Sequence, residues 1–448
     1  MKDEKIIEEV IDLIEYKKIK QLREFLDTIN EADFPMIFKD LDEEKIIMVY
    51  RLLPKEKAAK VFIELDSDDE ERLINCLTDK EIKNVMNEIY MDDATDLIEE
   101  MPSNVVKRIL ANTKSEDRKI INELLKYPDD TAGTIMTTEF MDFKENMTVD
   151  DAFQRIKKKG LKSETIYKCY VLSVDRKLLG VVDIKSLLVA DRDEKVKDIM
   201  ETNIIKAQTL DDQEEVVKLF DKYDVVAVPV VDKENRLVGI ITIDDAIDVM
   251  QEEASEDFEL MAAMSPTEDS YFKTSVFSHA KNRIVWLLVL MISAMITGAI
   301  IEHFETSIAT LPILVSFIPM LMGTGGNCGA QSSTLIIRGL ATDEISTKDW
   351  IKAVWKELRV ALLVGIVLAI VNTFRITLQY GELKIALVVS STMICTIIVS
   401  KILGCLLPIA AKKLKMDPAI MAAPLLTTVV DATTVLIFFS IVSSAFQI

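Results

Sequence analysis

Five apolar stretches crowd the C-terminal part of this chain, at about residues 284–301, 311–337, 360–378, 385–411 and 419–446. Each reaches or approaches the ~20 residues that a helix needs to cross a hydrocarbon layer. So much apolar surface in one run has no aqueous interior to enter. In lipid the backbone must satisfy its own hydrogen bonds, so all five are expected as helices. The charge of their connections sets the orientation. Lys281 and Arg283 precede the first stretch, Arg338, Lys348, Lys352, Lys356 and Arg359 follow the second, and Lys412, Lys413 and Lys415 follow the fourth. The other two connections hold Glu302, His303 and Glu305, then Arg375, Glu382 and Lys384. Basic loops mark the cytoplasmic face. The expected product is a multi-pass protein of the cell membrane, its N-terminus cytoplasmic and its C-terminus outside.

Upstream of about residue 280 the character inverts. The 448 residues carry a formal net charge of −21 although 49% of them are apolar, because the acids gather in the N-terminal half. An acidic soluble half excludes nucleic acid as a partner, since phosphates require a basic face. It suits multivalent cations, or simply solubility. Cys76, Cys169, Cys328, Cys395 and Cys405 form no paired spacing, and only His279 and His303 supply imidazole. Any bound metal is therefore expected to be a hard ion with oxygen ligands. The acidic, amphipathic start of the chain is unlike a secretory segment and is expected to stay in the cytosol.

Between about residues 41 and 127 short helices recur roughly every dozen residues, with starts at Asp42, Pro54, Ser67, Thr78, Asp92, Ser103 and Ser115. Ser67–Glu70 and Thr78–Glu81 have the form of capping boxes. Units of this size must stack to bury their apolar faces, which predicts an all-α helical solenoid.

A longer repeat follows. Ile135-Met136 returns as Ile199-Met200, Thr148-Val149-Asp150-Asp151 as Thr209-Leu210-Asp211-Asp212, and Leu178–Asp183 as Leu237–Thr242. Strands are expected at 170–174 and 179–183 in the first copy and at 225–231 and 237–242 in the second. This α/β repeat resembles a tandem pair of cystathionine-β-synthase (CBS) domains. Thr242 and Asp245 match the Gly-x-x-Thr-x-x-Asp pattern that in some such pairs contacts an adenine nucleotide such as ATP. The first copy has Asp183 in place of the threonine, so the pair stands between one nucleotide site and a purely structural role.

Three features within the apolar stretches need a reason. Asp431 sits near the middle of the last one, where a carboxylate costs about 2.5–3.5 kcal/mol unless it faces water or a cation. It lines a polar path or is paired, with Lys401 the available partner. The run Gly323-Thr324-Gly325-Gly326-Asn327-Cys328-Gly329-Ala330-Gln331 permits close helix packing or an irregular backbone lining a cavity. Pro408, Pro418 and Pro424 cluster at one end of the last two stretches.

Together, Gly-Gly-Asn-Cys-Gly-Ala-Gln, Asp417-Pro418-Ala419 and Thr-Thr-Val-Val-Asp-Ala-Thr resemble the MgtE family of magnesium channels and transporters. So does the order of parts, expected here as an acidic helical domain (1–132), a CBS pair (133–250), a connecting plug helix (251–280) and an all-α five-helix membrane domain (281–448). One departure is Thr434, where the family often has glycine. The resemblance implies a homodimer in the lipid bilayer with a pore on the dimer axis. Asp431 would supply a carboxylate from each subunit to Mg2+, Asn327, Gln331, Thr427 and Thr428 would line the path, and Asp417 would serve its cytosolic mouth or cap the fifth helix. It further implies gating by cytosolic Mg2+ that bridges carboxylates, closing the pore when Mg2+ is high. The candidates are Asp92 and Asp96 in the helical domain, Asp211, Glu214 and Asp224 in the second CBS copy, and Asp245, Asp248, Glu256 and Asp257 along the connector. Any of these can instead be a solvated surface acid. Other readings are an ion-coupled carrier or exporter of Co2+ or Mn2+, and a membrane-anchored nucleotide sensor. No nucleophile–base pair or phosphate loop points to an enzyme.

Overall fold

The computed structural model describes residues 2–267, 271–272, 274–421 and 423–447. It divides into two compact units, Met1–Met250 and Gln251–Ile448.

The first unit opens with short helices: α1 (Lys2–Glu15), α2 (Ile19–Leu26), α3 (Phe34–Lys39), α4 (Glu43–Leu52), α5 (Lys55–Ile63), α6 (Ser67–Cys76), α7 (Asp79–Val85), α8 (Met91–Glu100), α9 (Ser103–Asn112) and α10 (Ser115–Leu124). Local chemistry sets their starts. The Asp42 side chain accepts from Lys45 N at 3.0 Å. Thr78 and Glu81 close a reciprocal capping box. The expected Ser67 box does not form. Asp66 caps α6 instead, accepting from Asp69 N, because the helix begins one residue earlier than a serine cap requires. Arg51 of α4 pairs with Glu81 of α7 at 3.0 Å, and Arg108 of α9 pairs with Asp79 at 3.1 Å, fastening successive units.

Two three-stranded sheets follow. In the first, β1 (Asp142–Lys144) runs parallel to β2 (Lys168–Leu172), which pairs antiparallel with β3 (Leu178–Asp183). In the second, β4 (Ala207–Gln208), β5 (Ala227–Val231) and β6 (Leu237–Thr242) repeat that order. Helices α11 (Val149–Lys159), α12 (Ile184–Val189), α13 (Val196–Ile199) and α14 (Gln213–Tyr223) complete the copies. The short parallel strands β1 and β4 lack an alternating pattern and escape sequence reading. The pairing strands begin two residues before the expected 170 and two after the expected 225.

The repeated motifs interlock. Met136, which opens the first copy, lies where a Cβ on Gly239 of the second would fall, and Met200 does the same over Gly180. Leu178 N donates to Asn235 O and Leu237 N to Arg176 O, at 3.0 and 3.1 Å. A core of Tyr170, Leu172, Leu178, Val231, Leu237 and Ile240 joins the copies. A larger core runs from the N-terminal helices into Val216, Val217, Phe220 and Ile241, so the helical domain packs on the second copy.

Helix α15 (Ile243–Met261) continues through the first part of the 251–280 segment without a break. It stops at Ala263, whose φ of 53° is left-handed, and Pro266 follows, so the expected connecting helix ends there. Ser275 then caps α16 (Val276–His303), which starts eight residues before the expected 284. After α17 (Glu305–Thr310) come α18 (Ile318–Ala341), α19 (Trp350–Tyr380), α20 (Leu383–Lys413) and α21 (Ala423–Phe446). Among the described residues, five segments are long and apolar enough to cross a membrane: Val276–His303, Pro312–Ala341, Thr347–Tyr380, Leu383–Lys413 and Pro418–Phe446.

The glycine run is regular helix throughout, which decides for close packing. A Cβ on Gly325 would lie 2.7 Å from Thr396 of α20 and 2.9 Å from Val430 of α21, and one on Gly329 would lie 3.2 Å from Leu426. Gly404 meets the backbone oxygen of Gly329, which cannot move aside, whereas Gly323 faces open space. Gly404→Ala is therefore expected to lower stability by about 1–3 kcal/mol through overpacking, seen as a lower thermal midpoint in detergent, while Gly323→Ala leaves the midpoint unchanged.

Candidate cation pathway and carboxylate cluster

Packing between α18 and α21 sets the first site. Gly326 abuts Thr427, Gly325 abuts Val430 and Thr434, and Asp431 follows directly on α21. The Asp431 carboxylate is half-buried, and among the described residues no hydrogen bond or ion pair engages it. On the adjoining face of α18, Gly323, Asn327 and Gln331 recur every four residues, all exposed. Thr427 and Thr428 both donate to Pro424 O, at 3.0 and 2.9 Å, which leaves their oxygen lone pairs free to accept. Thr434, in the position where glycine was expected, is buried and fills the space beside Gly325. Asp417 is half-buried and accepts from Ala419 N at 2.7 Å, so it caps the turn Pro418–Met421 rather than α21 itself.

Lys401 is not the partner of Asp431. It is buried on α20 with its Nζ 3.1 Å from Glu357 Oε2 of α19 and 3.0 Å from Ser332 Oγ of α18. Ser332 in turn donates to the same carboxylate oxygen at 2.5 Å. Glu357 was hidden in the sequence because it stands between Lys356 and Arg359, at the basic edge of its span.

The second site lies within the first compact unit. Asp92 of α8 is 9% exposed, and its Oδ1 has no hydrogen-bond partner. Burial holds it well above the usual carboxylate range, with repulsion from Asp93, Asp245, Glu164 and Glu139 adding to the effect. Burial and Asp245 push Asp93 up to about 6. Asp96 is exposed, yet partial loss of solvent and then Asp93, Glu99, Glu100 and Asp245 push it up to about 7. Glu164, from the first CBS copy, is pushed up to about 8 by burial and then by Asp245, Asp244 and Asp93. Asp245 is raised by burial against the opposing hydrogen bond from Thr242 Oγ1, 2.5 Å away. Asp248 is exposed and raised by burial and Asp244, and in turn helps raise Glu64 of the helical domain.

Helix α8 thus brings carboxylates from the helical domain against both CBS copies. The other candidates are elsewhere. Asp211 accepts from Gln208 N at 2.7 Å, Glu214 pairs with Lys218 at 2.9 Å, and Asp224 is the left-handed C-cap of α14. Glu256 and Asp257 lie on the part of α15 that belongs to the second compact unit. Among the described residues no three acidic, histidine or cysteine side chains are drawn together as a cage for one ion.

Comparison with known proteins identifies the arrangement. Residues 318–441 match the family model of a divalent cation transporter, residues 29–130 the MgtE intracellular N domain, and residues 132–193 and 196–252 CBS domains. A protein of Bacillus subtilis (strain 168) named magnesium transporter MgtE is 33% identical over 98% of this chain and 97% of its own length. One of the same name from Thermus thermophilus is 32% identical, with 98% of each chain covered. The chain belongs to the MgtE family. It is accordingly a multi-pass membrane protein with a helical cytosolic-type domain and a CBS pair.

Two solved structures are similar to just over half of the chain. One, of the soluble part of a magnesium transporter, aligns at 31% identity and a TM-score of 0.53, covering 56% of this chain and 99% of that one. The other, the cytosolic domain of the Mg2+ channel MgtE in complex with ATP, aligns at 32% identity and 0.51, covering 54% and 98%.

Sequence reading missed Asp93, Asp244, Glu139 and Glu164. The first two sit in the doublets Asp92-Asp93 and Asp244-Asp245, a usable signal, while the glutamates are delivered by tertiary folding alone. Asp92, Asp93, Asp96, Glu164 and Asp245 are raised above free carboxylates, so at these groups the folded protein holds protons that the unfolded chain has already released. Their stabilising contribution is complete below pH about 4 and is lost as pH rises to about 8. With a chelator present, the unfolding midpoint of the soluble unit in the full chain should fall by several degrees between pH about 5 and about 8, and Mg2+ should restore it mainly at the upper end.

Proposed function

We propose that this protein is a magnesium-selective channel of the cell membrane that admits Mg2+ and closes when cytosolic Mg2+ is high. The observation that carries this reading is Asp431, a carboxylate with no hydrogen bond or ion pair among the described residues in the middle of an apolar helix, packed on α18, the helix that carries the exposed amides of Asn327 and Gln331. A carboxylate at that depth is tolerated where it meets water or a cation. Magnesium gives up its hydration shell reluctantly, so carboxylates and amides acting through retained waters suit it better than a tight cage. The names carried by the relatives agree with Mg2+ as the substrate.

The exposed face of α18 and the half-open Asp431 suit a homodimer in which two copies enclose the path and each supplies one carboxylate. Alternation of basic loops orients the N-terminus to the cytoplasm and the C-terminus outside. Asp417 then stands at the cytosolic mouth. The cytosolic sensor is the α8 cluster, in which Asp92, Asp96 and Asp245 join Asp93, Asp244, Glu139 and Glu164. Bare carboxylates repel and loosen the contact between helical domain and CBS pair, whereas hydrated Mg2+ neutralises them and tightens it. The ATP complex of the structural relative extends the reading to an adenine nucleotide at the second CBS copy, where Thr242 and Asp245 already hydrogen-bond.

Patch-clamp recording of the reconstituted protein tests the reading. Current carried by Mg2+ should flow at micromolar cytosolic-side Mg2+ and shut at millimolar levels. Asp431→Asn is expected to cut that current by about 100-fold, the factor that corresponds to ~3 kcal/mol of lost carboxylate–cation stabilisation. Uptake without current, dependent on a sodium or proton gradient, would instead show a carrier.

A further inference from the structure

The buried group Ser332–Glu357–Lys401 has no part in the pathway described above, yet it places two full charges inside the packed membrane helices. Lys401 is 4% exposed, Glu357 8% and Ser332 not at all. Ser332 joins them, accepting from Lys401 Nζ at 3.0 Å and donating to Glu357 Oε2 at 2.5 Å. Three helices, α18, α19 and α20, each contribute one member. The group lies where α18 and α20 are closely packed, since Gly404, one turn beyond Lys401, rests on the Gly329 backbone and the Ser332 side chain.

Its position along the path follows from the contacts of α18. Gly325 meets Val430 and Thr434, Gly326 meets Thr427, and Gly329 meets Leu426. Ser333, the neighbour of Ser332, donates to Met421 O at 3.3 Å, in the turn that follows Asp417. The buried pair therefore stands between the level of Asp431 and that of Asp417. From Gly325 to Ser332 is seven residues, about 10 Å along the helix. At that distance in a medium of low polarity an uncompensated charge still acts on a divalent ion. A buried pair also costs desolvation that good geometry only partly returns, so stability alone is a weak account of it.

We propose, building on the pathway reading above, that Glu357 and Lys401 form a charge-compensating positioning pair, locked through Ser332, that holds the amide-bearing face of α18 in place and keeps the net charge along the inner half of the pathway at that of Asp431 and Asp417. Neither residue touches the ion. Their neutrality as a pair keeps the path from trapping Mg2+ on an extra carboxylate or repelling it with an extra ammonium.

Opposite signs distinguish this role from packing alone. Lys401→Met leaves Glu357 unbalanced and is expected to lower the half-saturating Mg2+ concentration for uptake into proteoliposomes by about three- to tenfold, with slower release and a lower maximal rate. Glu357→Gln leaves the ammonium and should raise half-saturation by a similar factor. The double variant should return it to within about twofold of the parent. Loss of transport in both single variants with unshifted or same-direction half-saturation would overturn the proposal, as would parental behaviour in both.

Where a single variant fails to assemble, the double variant and Lys401→Arg carry the test, since both preserve net charge. Each should assemble and transport with half-saturation within about twofold of the parent, and assembly without such transport overturns the pairing. Asp431→Asn measured alongside separates the two readings. If it transports like the parent the pathway assignment falls, whereas its loss together with same-direction shifts in the single variants overturns only the role of the pair.

Discussion

A charge in an apolar medium must be paired, hydrated or neutralised, and both compact units are arranged around that cost. In the membrane helices, Glu357 and Lys401 are settled by each other and by Ser332. Asp431 is left with no such partner among the described residues. One pair is buried completely and a third charge is left half-open, because the Lys401 ammonium is already committed to Glu357 and Ser332.

In the soluble unit the same cost is handled by accumulation. Helix α8 carries Asp92 and Asp93 into a region already occupied by Asp245 and Glu164, and burial raises all four above the ordinary carboxylate range. Protons or cations sharing such a site would relieve the repulsion, so its occupancy and the packing of the helical domain on the CBS pair are thermodynamically linked. The fold supplies stiffness for this coupling through the interlocked copies, each holding the methionine of the other over its glycine.

Close packing does for the membrane helices what interlocking does for the CBS pair. Gly325, Gly326, Gly329 and Gly404 remove side chains where α18 crosses α20 and α21, letting backbones approach closely, while Asn327 and Gln331, four residues apart, share an exposed face of α18. In lipid there is little hydrophobic drive between helices, so such contacts carry much of the specificity. Thr434, in place of the expected glycine, is accommodated because Gly325 opposite it has no side chain.

Much of this was legible from one dimension. Five apolar runs of sufficient length determine five spans, since backbone in lipid has no other partner than itself. The recurring motifs determine two CBS copies, and the mid-span Asp431 announces itself by the cost of its position. Sequence also foresaw Asp92, Asp96 and Asp245 as acids worth attention, because doublets and helical spacing are local properties. It could not foresee which acids meet. Glu139 and Glu164 reach α8 only through the packing of the first copy, while Asp211, Glu214 and Asp224 make contacts in and beside α14. It likewise offered Lys401 to Asp431, when the helix register delivers it to Glu357, 44 residues away in the chain. Spans, repeats and isolated buried charges follow from solvation and are written locally. The pairing of charges depends on which helix faces meet, and the tertiary structure alone decides that.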